Sequence, residues 1–410
     1  MTVSVPEFVQ SVLGRLQKNG FEAWVVGGCV RDSLLGRVPQ DWDVTTSAVP
    51  EEIKRCFAGY RVIETGIAHG TVTVISGGKP VEVTAYRVDG TYSDSRHPDF
   101  VTFTRSLHED LARRDFTVNA MAFCESEGLR DDFGGREDLA KQVIRCVGSP
   151  KRRFDEDALR ILRALRFASV LNFSLESKTA EAVRACAGQL HSVAAERIFS
   201  EWNKLLCGKG AEAVLCEFPM VPAVFFEELR PLLEDPAARR QTAACVCRAP
   251  AEKSLRTALL FRALRGYDAE EQAALAQNAL RRLHAEHKMI VRVGALIRTE
   301  LPEPVSLPVI RRLIGRNGEE LFSAQLALLR SEGRTDTAAA ERLKTEILAR
   351  EDCISLPQLA LKGNDLPGAG KRTGMLLNAA LSAVIDGLVP NRKADLLQYL
   401  AQLQSDETEQ

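Results

Sequence analysis

The chain has 410 residues, 45% of them hydrophobic and 27% charged, with a formal charge of −1. That length exceeds one ordinary core and points to about two to four domains, in the composition range of soluble globular proteins. No apolar run approaches the roughly 18 residues of a membrane helix, and MTVSVPEFVQ lacks the basic and apolar regions of a secretory signal, so neither a membrane span nor export is expected. The ten cysteines are scattered, mostly singly among apolar neighbours, with no paired spacing of a zinc finger. Reduced, buried thiols in a cytoplasmic protein fit that usage.

Residues 5–19 predict a helix, with Val9, Val12, Leu13 and Leu16 on one stripe. Glu22 to Val26 predict a first strand, which runs into Gly27-Gly28 and a short helix from Val30 to Leu35. Asp41 to Thr45 predict a second strand. Residues i and i+2 of a strand share a face, so Asp41 and Asp43 would project together. Two like charges that close raise each other's pKa unless a cation sits between them. Mg²⁺ suits such a pair, because it takes hard oxygen ligands and is shared with substrate phosphates. Open backbone N–H groups at the Gly27-Gly28 turn would receive a triphosphate at the start of a helix. A solvated turn would show the same D-x-D pattern, so the pair gains its meaning from the glycine turn beside it.

Pro50 to Phe57 predict a helix. Val72–Ile75 and Val81–Tyr86 predict two strands joined at Gly77-Gly78, a hairpin signal. On the second of these, Glu82, Thr84 and Tyr86 share a face, which could bring Glu82 toward the Asp pair as a third carboxylate. Residues 89–105 are polar and rich in turn formers, and read as a mobile loop. LHEDLARRDFTVNAMAF predicts a short helix leading into a strand, and DDFGGREDL closes a compact α/β head.

From about residue 141 the pattern turns helical. EDALRILRALRF places Leu159, Ile161, Leu162, Leu165 and Phe167 on a buried side, with Glu156, Asp157, Arg160 and Arg163 at helical spacing on the other. Residues 141–205 hold 12 Lys/Arg against 7 Asp/Glu within a nearly neutral chain, which suggests an anionic partner there. Beyond 205 the chain is helical almost to its end, with LPEPVSLP at 301–308 as a candidate linker. GAGKRTG at 368–374 imitates a phosphate loop but lacks its spacing: Asp365 stands where the first glycine belongs, and Arg372 replaces Ser/Thr.

Paired carboxylates, a glycine turn and basic residues at Arg31, Arg113 and Arg114 suit metal-dependent phosphoryl or nucleotidyl transfer, which needs positioning and charge neutralisation more than a side-chain nucleophile. None of the six histidines stands in a hydrolase motif.

GGCVRDSLLGRVPQDWDV, TGIAHGTVTV, VEVTAYR, RRDFTVNAM, DDFGG and EDALRILRALRF occur here in the order found in class II tRNA nucleotidyltransferases. The first 200 residues closely resemble that family, the CCA-adding enzymes, which share head and neck with bacterial poly(A) polymerases. The resemblance implies an α+β chain. An α/β head like that of the DNA polymerase beta superfamily (1–140) would precede an all-α neck (141–205), body (206–300) and tail (301–410). It implies that Asp41 and Asp43 bind two Mg²⁺ ions, with Glu82 as third carboxylate, to activate the RNA 3′-hydroxyl and hold the triphosphate. Gly27, Gly28 and Arg31 would contact phosphates, with Asp32 supporting the turn. Arg113, Asp115 and Asn119 would hold the ribose of ATP or CTP. Asp157 and Arg160 would read the Watson–Crick edge of the incoming base, oriented by Arg163. The loop with Tyr92, Asp94, Arg96, His97 and Pro98 resembles the one the family needs for the final A, and the C-terminal stretch looks like the tail that grips tRNA. The implied partners are tRNA, ATP and CTP, with no membrane and no obligatory protein partner. An A-adding enzyme, a poly(A) polymerase or an inert RNA-binding relative are the competing expectations.

Overall fold

The computed structural model describes residues 3–90, 101–366 and 370–408. The strands are β1 (Ala23–Val26), β2 (Asp43–Thr46), β3 (Val62–Ile63), β4 (Thr71–Ser76), β5 (Lys79–Ala85), β6 (Arg87–Asp89), β7 (Val101–Phe103), β8 (Ala122–Cys124) and β9 (Gly128–Arg130). Seven of them form one mixed sheet in the order β3-β4-β5-β2-β1-β8-β9. Only β2 and β5 run parallel; the other neighbours are antiparallel. β1 is apolar throughout, AWVV, because it lies inside the sheet and is buried along its whole length. β4 instead buries every second residue, Val72, Val74 and Ser76. The β4–β5 hairpin turns at Gly77 and Gly78, both at positive φ (55° and 76°), the backbone that a tight two-residue turn demands.

The helices that complete the head are α1 (Glu7–Lys18), α2 (Gly28–Leu34), α3 (Pro50–Cys56), α4 (Leu107–Ala112) and α5 (Gly135–Lys141). α1 buries Val9, Val12, Leu13 and Leu16, the stripe its sequence period predicts. Trp24, Val26, Tyr86, Leu107, Leu111, Ala122 and Cys124 form a buried cluster beneath α4. Each such aliphatic or aromatic side chain contributes roughly 1.5–3 kcal/mol by leaving water.

Two differences from the sequence reading concern the head. Asp41 lies ahead of the hydrogen-bonded strand, which starts at Asp43. The alternation nevertheless persists, with Trp42 buried between two exposed acids. The segment read as one loop over 89–105 has an ordered stem. β6 and β7 pair antiparallel, with Arg87 opposite Phe103 and Val88 opposite Thr102. Polar turn-formers hid this ribbon, because three-residue strands carry too little alternation to register. Tyr92, Asp94, Arg96, His97 and Pro98 fall outside the described residues.

Short strands β10 (Val143–Ile144) and β11 (Ser174–Leu175) pair parallel, and helices α6 (Pro150–Glu156), α7 (Leu159–Leu171), α8 (Ser177–Cys186) and α9 (Ala195–Leu206) follow. α7 packs along α9, where the Ser169 hydroxyl donates to the Leu205 carbonyl at 2.6 Å. Further on, Trp202, Phe225 and Phe226 make edge-on and tilted ring contacts 5.1 to 5.5 Å between centroids.

The chain divides into two compact units, one running to Ala243 and including Asn278–Ala285, the other comprising Ala244–Gln277 and Glu286–Gln410. The second unit is helical, with Lys253–Arg262, His287–Ile297, Leu307–Asn317, Glu319–Ser331, Thr337–Ala349 and Thr373–Ile385 among its helices. Leu359, Leu361, Leu376, Ala380, Leu396 and Leu400 form a buried cluster in it. The candidate linker 301–308 lies within this unit, and its Leu301 is buried. Of the phosphate-loop imitation, Gly370–Arg372 makes one 3₁₀ turn ahead of a helix. No described helix is long and apolar enough to cross a membrane.

Candidate active site

Strand register assembles the site. Val26 stands opposite Asp43 on one side, and Glu82 stands opposite Asp43 on the other. Ala122 stands opposite Val26 in the next strand. One row across the sheet therefore carries Glu82, Asp43, the end of β1 and the end of the segment that holds Asn119. The glycine turn leaves β1 immediately after Val26, so α2 starts beside Asp43. Gly27 sits at φ 80° and ψ −125°, a conformation closed to side chains with a Cβ. A Cβ there would also stand 3.1 Å from Nη1 of Arg114.

Asp41, Asp43 and Glu82 are exposed to solvent. Asp43 is crowded enough that burial, then the Glu82 charge, and last the Asp41 charge push its carboxyl up to about 6; Arg114 pulls the other way. Two acids thus bear on Asp43, and the Arg114 guanidinium offsets them. Among the described residues, no three His, Cys, Asp or Glu side chains converge as a closed metal cluster. The donor set fits an ion held by two carboxylates and completed by water and substrate oxygens, which is how Mg²⁺ is usually bound. Behind the turn, Cys29 is buried and its thiol donates to the Val26 carbonyl at 3.3 Å. Burial raises that thiol to about 11, so it stays protonated.

A polar chain links the glycine turn to the helices beyond the head. Arg31 holds Asp32 through two bonds of 2.9 and 3.0 Å and donates to Asn119 Oδ1 at 2.6 Å. Asn119 donates to Asp115 Oδ1 at 3.2 Å. Asp115 Oδ2 takes a bidentate grip from Arg163, at 2.9 and 2.5 Å. Asp115 is buried; burial would raise its carboxyl, yet Arg163 above all holds it down to about 2. The ring of Phe167 lies under the guanidinium groups of Arg31, Arg163 and Arg166, at 5.2, 5.5 and 3.7 Å from its centroid.

Asp157 and Arg160 do not occupy one continuous helix, as their spacing predicted. α6 ends at Glu156 and Asp157 is extended, at φ −144° and ψ 105°. Its Oδ1 accepts the Leu159 N–H at 3.0 Å, and its Oδ2 accepts from Arg197 at 2.8 Å. An Asp side chain that captures a nearby backbone N–H competes with helix continuation, which explains the break. Arg160 turns to Glu156 at 2.6 Å and reaches the Arg113 carbonyl at 3.3 Å. Asp157 is thus paired with Arg197, and Arg160 with Glu156. Arg163, the residue named to orient Asp157 and Arg160, grips Asp115.

Arg113 donates to Asp110 at 3.0 Å, whereas its neighbour Arg114 faces the Gly27 turn and Asp43. The sequence offered Arg114 only as one of three basic residues of the head, with no partner or specific role. The signal for it was present: Asp110 and Arg114 are four residues apart on α4 and its end, a spacing that makes an ion pair.

Residues 23–145 match the model of the poly A polymerase head domain, and residues 172–219 match that of the probable RNA and SrmB-binding site of polymerase A. The CCA-adding enzyme of Leuconostoc mesenteroides is 48% identical over 211 residues, so that the chain spans about half of that relative's length (52%) and 51% of its own. The CCA-adding enzyme of Lactiplantibacillus plantarum is 35% identical over 399 residues, covering 95% of this chain and 94% of the relative. The crystal structure of the Bacillus stearothermophilus CCA-adding enzyme in complex with CTP superposes with a TM-score of 0.81 at 31% identity, over 98% of both chains. With likeness of sequence and fold extending over nearly the whole length, the chain belongs to the family of CCA-adding enzymes.

Proposed function

We infer that the chain adds CCA to the 3′ ends of tRNA, joining nucleotides from CTP and ATP with release of pyrophosphate. The observation that carries this reading is the register that sets Glu82 and the glycine turn on either side of Asp43. The full-length likeness to CCA-adding enzymes supports the choice of tRNA as acceptor.

Asp41 and Asp43 would hold Mg²⁺, with Glu82 alongside, and the bound ions would supply charge neutralisation and a more acidic 3′-hydroxyl. The chain's own groups do the positioning. Backbone N–H groups after Gly27 and Gly28 would receive phosphate oxygens, next to the cationic Arg31 and Arg114. Asp32 and Asn119 fix the Arg31 fork from two sides. Asn119, Asp115 and Arg113 would hold the ribose. Asp157 and Arg160 would offer an acceptor and a forked donor to the base edge, each released from its present partner, Arg197 or Glu156. Transfer without a side-chain nucleophile then rests on proximity and charge.

The division into head (1–140), neck (141–205), body (206–300) and tail (301–410) belongs to this reading, with the helical parts binding tRNA. So does a cytoplasmic setting, which the ten free cysteines favour. Incubation with tRNA lacking its CCA end and labelled CTP and ATP tests the assignment. Two C residues followed by one A are expected. Long A-only tails on any RNA would make it a poly(A) polymerase, and A addition confined to CC-ended tRNA would make it an A-adding enzyme.

A further inference from the structure

Asp110 is a carboxylate with no exposed surface, and nothing in the transfer reaction described above uses it. A buried charge costs several kcal/mol unless it is paired and hydrogen-bonded, so its partners are informative. Its Oδ2 accepts the Thr45 hydroxyl at 3.1 Å and Nη2 of Arg114 at 3.4 Å. Its Oδ1 accepts Nε of Arg113 at 3.0 Å and the Arg87 N–H at 3.4 Å. Thr45 is two residues beyond Asp43 on β2, and Arg87 begins the β6–β7 ribbon.

The two ends of the Arg114 fork face different things. Nη2 is held by Asp110, while Nη1 lies against the Gly27 turn and the charge acts on Asp43. Arg113 and Arg114 are adjacent cations that would repel without an acid between them. Burial works to raise the Asp110 carboxyl, and the Arg113 and Arg114 charges overcome it and keep it ionised.

We propose that Asp110 is a positioning residue for nucleotidyl transfer: it fixes Arg114 between the glycine turn and Asp43, and through Thr45 ties it to the catalytic strand. This rests on the function inferred above. Its role is geometric, since a cation displaced by about an ångström from the groups it serves can cost about 100-fold in rate.

The test is a double-mutant cycle on incorporation from CTP and ATP, with rates expressed per folded, titrated active site. Asp110→Asn keeps the shape and removes the charge. The expected result is a fall in kcat of about 10- to 100-fold with the KM for tRNA unchanged within about twofold. Arg114→Lys should lose a similar factor, and the Asp110→Asn/Arg114→Lys double variant no more than Arg114→Lys alone. Losses that multiply in the double variant overturn the proposal, as does a loss that disappears once rates are expressed per folded, titrated site. Should Asp110→Asn fail to fold, Thr45→Val removes one donor and keeps the volume. A kcat loss of about two- to tenfold that vanishes in the Arg114→Lys background supports the proposal, and an equal loss in both backgrounds overturns it. Absence of incorporation by the unaltered protein overturns the proposed function and this inference with it. Incorporation with multiplicative losses overturns the inference alone.

Discussion

Asp115 shows how one residue can serve both stability and the site. Its carboxylate is held near 2 by Arg163, against an ordinary value of 3.8 and against the burial that would raise it. A depressed pKa stabilises the fold above the ordinary value, and that stabilisation is lost as pH falls through the depressed one. The shift corresponds to about 2 kcal/mol, present at neutral pH and lost between roughly pH 4 and pH 2. Acid unfolding followed by circular dichroism should therefore steepen across that window. Asp115→Asn should flatten it and lower neutral-pH stability, because Arg163 is left without its carboxylate. An unchanged acid transition in Asp115→Asn would refute this account.

At the scale of elements, the glycine turn and the strands around it were legible in the sequence, because alternation, a Gly-Gly pair and β-branched runs are local signals. The pairing of Asp43 with Glu82 was only a possibility there, since it depends on β2 and β5 running parallel across a long connection. The break between α6 and α7 was missed for a related reason. Helical spacing of Glu156, Asp157, Arg160 and Arg163 is a valid local pattern, and what overrides it is the Asp157 carboxylate, which captures the Leu159 N–H while Arg197, 40 residues further on, holds its other oxygen. Arg114 was legible only as a basic residue of the head, because what fixes it, the buried carboxylate of Asp110, carries no burial signal on so short a helix. The glycine turn also offers an element-scale test. Gly27→Ala meets both the positive φ and the Arg114 fork, so it should cut kcat/KM for CTP by about 100-fold or more, in steady-state kinetics, while α2 and β1 remain folded. Wild-type kinetics in Gly27→Ala would show that the turn does not approach the nucleotide.

At the scale of the molecule, the residues argued to perform the transfer all lie in the unit that runs to Ala243, and the Leu396 cluster lies in the other. Leu396 is fully buried there. Leu396→Ala should cost about 2–5 kcal/mol of that unit's stability by leaving a cavity, read as an earlier calorimetric transition. CTP affinity measured by titration calorimetry should stay at the wild-type value. A loss of CTP binding at a temperature where both variants are folded would contradict the division of labour.

The register of β2 on its neighbours has one more consequence. A slip of a single residue would turn Asp43 inward and present Val44 beside Glu82, since side chains alternate with a period of two. Such a chain would bury a charge and lose its chemistry in the same error. The carboxylate row thus works as a parity check on folding: a head that has passed its own stability requirement has, by that fact, aligned its acids.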